Sequence, residues 1–131
     1  MARRIEVPIS VGELVDKLTI LAIKSEKIAD AGKQANIRRE FDALLAVLKP
    51  LLAATPALAQ LQAELKTINE ALWQIEDDIR DCERARNFGP RFIDLARSVY
   101  QTNDRRAATK RKIDELMGSD IVEEKSYAPY D

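Results

Sequence analysis

The stretch LAQLQAELKTINEALWQIEDDIRDC (58–82) decides the architecture. Within it Leu58, Leu61, Leu65, Ile68, Leu72, Ile75, Ile79 and Cys82 recur at alternating spacings of three and four. An α-helix places such positions on one side, so this seam must lie against another helix. Thr55-Pro56 marks the expected start, with Thr as N-cap and Pro at the first helical position. The helix is expected to run to about Arg86, some thirty residues or roughly 45 Å.

Working outward, Asn87-Phe88-Gly89-Pro90 reads as the next turn, with Gly89 closing one helix and Pro90 opening the other. A fourth helix then extends to about Met117, where Gly118-Ser119 ends it. Upstream, Ile37, Phe41, Leu44, Leu48 and Leu51 share one face of a second helix starting near Lys33. Pro50 is expected to kink or stop it. Ser10 opens a first helix, and Glu13, three residues on, suggests a capping box. Val11, Leu14, Leu18 and Leu21 form its seam, and Asp30-Ala31-Gly32 is expected to end it. Short connections make neighbouring helices antiparallel. The expected fold is therefore all-α: an elongated antiparallel four-helix bundle with a long helix 3/helix 4 hairpin. Residues 1–131 read as a single helical domain, with 1–9 an extended arm and 119–131 a polar tail.

Composition agrees. The 131 residues are 46% hydrophobic and 33% charged, with four glycines and three phenylalanines, a helical vocabulary. With 21 basic and 22 acidic residues the net charge is -1. No whole-molecule field draws nucleic acid, and no nucleic-acid partner is expected. The longest apolar run, Ala43 to Leu48, is too short for a membrane span. Glu13, Asp16 and Lys17 interrupt any signal-peptide core, so cytoplasm is the expected compartment. A lone Cys82 forms no internal disulfide, and reads as buried filler. Histidine is absent, which removes the commonest general base and metal ligand. No catalytic residue, cofactor or metal site is assigned. The acidic run Glu76, Asp77, Asp78, Asp81 and Glu83 reads as a solvated face with intrahelical pairs such as Glu76–Arg80.

The helical pattern breaks once. The fourth-helix stripe continues as Phe92, Ala96 and Val99, and then Asn103, Arg106 and Lys110 take the inward positions before Ile113 and Met117 resume it. Charges facing a core need partners. Folding the hairpin about Phe88 sets this stretch opposite residues 64 to 75. Asn69, Glu70 and Glu64 are candidate partners there, Glu76 lies just beyond, and Glu13 and Asp16 are candidates on the first helix. Two readings stay open. One is a structural salt-bridge layer that fixes helix register. The other is an anion pocket of Asn103, Arg105, Arg106 and Lys110 suited to a phosphate or carboxylate.

The segments VGELVDKLTIL (11–21), NEALWQIEDDIR (69–80), FIDLARSVYQTNDRRAATKRKI (92–113) and EEKSYAPYD (123–131) together resemble a domain-of-unknown-function family of small bacterial helical proteins. The resemblance implies recurrent polar positions at Glu13, Asp16, Lys17, Lys24, Asn69, Trp73, Glu76, Asp77, Asn103, Asp104, Arg105 and Arg106. It also implies a glutamate between Thr19 and Lys24, which this chain lacks. A link to surface-glycan gene clusters follows from the same resemblance. The expected function is an interaction or scaffold module that self-associates through its apolar stripes, with a protein partner in glycan assembly. The alternative is a small-ligand protein or enzyme acting on an anionic, phosphorylated metabolite at the Arg/Lys/Asn layer.

Overall fold

Ser10 takes an extended backbone and accepts a hydrogen bond on its hydroxyl from the Glu13 N–H at 3.1 Å. This N-cap starts α1, Val11–Lys27. The computed structural model describes residues 3–131, and among them α2 (Ala31–Ala54), α3 (Leu58–Arg84) and α4 (Pro90–Met117) follow. Residues 3 to 9 lie outside any helix and are exposed; Met1 and Ala2, the start of the expected arm, lie outside the described residues. The chain is a helical bundle in which α3 and α4 pair as a hairpin and α1 packs on α2, α3 and α4.

Four boundaries differ from the sequence expectation. The first helix ends at Lys27, and Asp30 instead caps α2, accepting from the Lys33 N–H at 2.9 Å. Gln34 reaches back to the Ser25 carbonyl at 2.9 Å, so a side chain satisfies an orphan acceptor at the end of α1. Second, Pro50 does not stop α2, which runs on to Ala54. Pro50 and Ala46 both face solvent, where water can take the carbonyl that loses its partner, while Leu48 on the other side is fully buried.

Third, Thr55 does not cap α3. Its N–H still bonds to the Leu51 carbonyl, closing α2, and its own carbonyl accepts from the Leu58 N–H at 3.0 Å. That tight turn starts α3 without a side-chain cap. Fourth, α3 closes at Arg84, with Arg86 in the left-handed region (φ 56°). The Asn87 N–H reaches the Cys82 carbonyl at 2.9 Å, the six-to-one closure of a Schellman turn. Gly89 caps α4 from an extended backbone instead, and Pro90 occupies the first turn as expected.

The core lies where α1 crosses the open end of the hairpin. Leu14, Val15, Leu18, Leu48, Leu58, Leu65 and Ile113 pack there, flanked by Phe41, Leu44, Leu45, Leu61 and Met117. Each fully buried large aliphatic contributes about 1.5–3 kcal/mol. Along the α3 seam, full burial stops at Leu65; Ile68, Leu72, Ile75 and Ile79 are half-buried, and Cys82 is buried again.

Candidate functional site

Helical spacing brings Asp16 and Thr19 to one side of α1, Asn69 to the facing side of α3, and Arg106 and Lys110, four apart, to the facing side of α4. Asp16 is the centre. Its carboxylate is 1% exposed and accepts from Arg106 Nε on Oδ1 at 2.9 Å and from Nη2 on Oδ2 at 2.5 Å. This fork is the geometry for which a guanidinium is built. Asn69 Nδ2 adds a third donor to Oδ1 at 2.9 Å and also donates to Thr19 Oγ1 at 2.9 Å. Thr19 in turn donates to the Asp16 carbonyl at 2.8 Å.

One turn along α4, Lys110 Nζ donates to Glu13 at 2.8 Å and to Glu123 of the tail at 2.6 Å. Beside it, the buried Asp114 accepts from the Gly12 N–H at 2.7 Å. Glu13 turns to Lys110 rather than back to the cap, so only the Ser10 half of the expected capping box forms. Asp114 instead accepts from a first-turn N–H and adds a second carboxylate, beside Glu13, at the positive end of α1. Gly12 lets this happen, since a Cβ there would stand 2.6 Å from the Lys110 carbonyl oxygen. Among the described residues, no buried side-chain nitrogen or oxygen lacks a hydrogen-bond partner.

These contacts set the protonation states. Burial pushes the Asp16 carboxyl up, but the hydrogen bonds from Arg106 and Asn69 and the charges of Arg106 and Lys110 outweigh it, so the group sits below its ordinary value. The hydrogen bond to Asp16 holds Arg106 above its ordinary value. Burial pulls Lys110 down, and its bonds to Glu123 and Glu13 raise it further than burial lowers it. The bond from Lys110 lowers Glu123.

The structure therefore brings together Glu13, Asp16, Asn69, Arg106 and Lys110. Asn103 stands next to Arg106 in a recess of about 240 Å³ that Trp73 also lines. Glu76 reaches the rim of that recess but pairs with Arg80 on its own helix. Glu70 is exposed and joins no ion pair among the described residues. Arg105 is exposed as well, its side chain making among the described residues one long hydrogen bond of 3.4 Å to Thr102. It immediately precedes Arg106, and adjacent helical residues point about 100° apart. Gly12, Thr19, Asp114 and Glu123 belong to the network without having been read from the sequence. Gly12 left a signal, because a glycine inside a helix costs about 1 kcal/mol relative to alanine and needs a packing reason.

Chemically, the layer is a closed set of opposite charges. The Arg106 fork is filled by Asp16, and Lys110 is held between two carboxylates. In the acidic run, Glu76 and Asp81 pair with Arg80 and Arg84 of the same helix. No helix among the described residues is long and apolar enough to cross a membrane.

Residues 5–130 match the model of a family of unknown function (DUF6165), and the chain belongs to that family. No curated protein and no solved structure matches the chain.

Proposed function

We propose that this member of the family is a helical interaction module, self-associating through the outer half of its α3/α4 hairpin. One observation carries the reading: the apolar surface of that half is not closed by the chain's own fold. Phe88 is 49% exposed and Ile93 is 53% exposed, next to a seam that is only half-buried from Ile68 to Ile79. Apolar surface concentrated at one end of a molecule favours a partner.

Charge favours a second copy as that partner. The outer part of α3 carries Glu76, Asp77, Asp78, Asp81 and Glu83 against Arg80 and Arg84, and the turn and the start of α4 carry Arg86, Arg91 and Arg97 against Asp94. Two hairpins packed antiparallel about a two-fold axis set each acidic helix beside the other copy's basic one. The paired layer at Asp16 and Arg106 supports the same reading. Its cations are engaged within the fold, as expected of a lock that holds α1 on the hairpin, and an incoming anion would compete with Asp16, Glu13 and Glu123. The family resemblance supplies the setting, a step of surface-glycan biosynthesis in the cytoplasm.

Charge-swapped chains test this. Asp78→Lys with Glu83→Lys, and separately Arg91→Glu with Arg97→Glu, should each run as monomers by light scattering, and an equimolar mixture should recover the dimer mass. Two swapped chains that each self-associate like the wild type would contradict it.

A further inference from the structure

After Gly118 the tail turns back along α4, with Glu123 on Lys110, Glu124 on Arg111 at 3.0 Å, and the Tyr130 hydroxyl donating to Asp104 at 2.7 Å. Between tail and helix lies a cleft of about 840 Å³, and all three tyrosines of the chain line it. Tyr100 and Tyr130 stand with centroids 5.0 Å apart and planes tilted by 59°, two aromatic walls meeting at an angle. Tyr127 is 81% exposed, and its ring has the Lys125 ammonium 5.8 Å from the centroid. The charges of the lining do not balance. Asp104, Glu123 and Asp131 stand against the single cation Lys125. Lys110 answers Glu123 from the adjoining smaller cleft. Asp104 and Asp131 form no ion pair among the described residues. The hydrogen bond that Asp104 accepts comes from a neutral phenol, so its charge is left uncompensated.

We propose that this cleft binds a linear polyamine. Ammonium groups are drawn both to carboxylates without a counter-charge and to the negative faces of aromatic rings. The methylene segments between those groups pack on the tyrosine rings and on Val99, Ala128 and Pro129, which line the same cleft. The chain's own Lys125 displays the mode: an alkylammonium lying within cation–π range of Tyr127. A divalent metal ion fits less well, since among the described residues no three carboxylates are placed to hold one. An anion would meet Asp104 and Asp131. The volume lies in the range of small-molecule sites. The site differs from the anion pocket expected at Arg106 in place and in the sign of its charge, and it is independent of self-association.

Isothermal titration of the full chain with spermidine, and with magnesium chloride at matched ionic strength, tests the proposal. Spermidine should bind, more tightly than magnesium. Tyr127→Leu, which keeps an apolar side chain but removes the ring, should weaken spermidine binding about two- to fivefold, the scale of one exposed cation–π contact. Asp104→Asn should weaken it by a similar factor, while its amide oxygen still accepts from Tyr130 and holds the tail in place. Lys125→Gln should tighten binding, because it removes the cation that competes for Tyr127. Tyr127→Leu should leave the thermal midpoint unmoved, since that side chain is exposed. No spermidine binding at millimolar concentration would overturn the proposal. So would magnesium binding as tightly as spermidine, wild-type affinity in Tyr127→Leu or Asp104→Asn, or binding no tighter in Lys125→Gln.

Discussion

Asp16 and Arg106 are ninety positions apart in the chain and make its best-formed ion pair. Removing one partner leaves the other unpaired in a part-buried site, which costs about 3–5 kcal/mol. Asp16→Asn should therefore lower the unfolding free energy by about that much in urea at neutral pH. Because the Asp16 and Glu123 carboxyls are held below their ordinary values, their contribution is complete above about pH 5 and fades as pH falls through the depressed values. Lys110, held above its ordinary value, contributes fully below about pH 10 and loses that contribution as pH rises through its folded value. Urea midpoints should be flat between those limits, and the acid limb should be shallower in Asp16→Asn. Gly12→Ala tests the closest approach of α1 to α4. Its Cβ meets main chain, which cannot swing away, so a loss of about 1–3 kcal/mol is expected in thermal unfolding. These residues were unequally legible. Arg106 and Lys110 are found by asking which polar groups sit at apolar positions of a helical repeat, Asn69 by the register of the hairpin, and Glu13 and Asp16 as carboxylates of the first helix available to pair with them. The register of the hairpin gives the level of a partner but not its direction around the helix, so Glu70, at the right level, faces outward, and Glu76 reaches only the rim of the recess and pairs with Arg80. The Gly12–Asp114 contact depends on how near two backbones come, and no spacing encodes that.

At the scale of elements, the α3 seam encodes both the hairpin and the approximate length of its arms. Its period does not say where a third helix stops covering it. Leu65, beneath α1, is fully buried, and Ile79, in the outer half, is not. Leu65→Ala should cost about 2–5 kcal/mol and Ile79→Ala less than half as much, compared by chemical denaturation of the two variants. Helix ends were harder to read than helix bodies, for local reasons. Pro50 is tolerated because the carbonyl it abandons lies on the wet side of α2 while Leu48 anchors the dry side. Thr55 looks like a cap in sequence but is claimed by the preceding helix through Leu51. Arg86 takes a left-handed backbone usually given to glycine because the Schellman closure to Cys82 requires one residue there.

The two ends of the molecule differ in how far the chain covers its own surface. At one end α1 is clamped to the hairpin by a core of leucines and a layer of fully engaged charges. At the other end, two helices carry apolar and oppositely charged surface that their own chain leaves uncovered. The tail connects the two by running back along α4 from Met117 towards Tyr100. On the proposed reading, association is a property of the outer hairpin, separable from folding. Sedimentation equilibrium of the wild-type chain from low to high micromolar concentration measures it most directly. The account predicts a mass that rises to twice that of the chain and stays there. A single-chain mass across the whole range would contradict it.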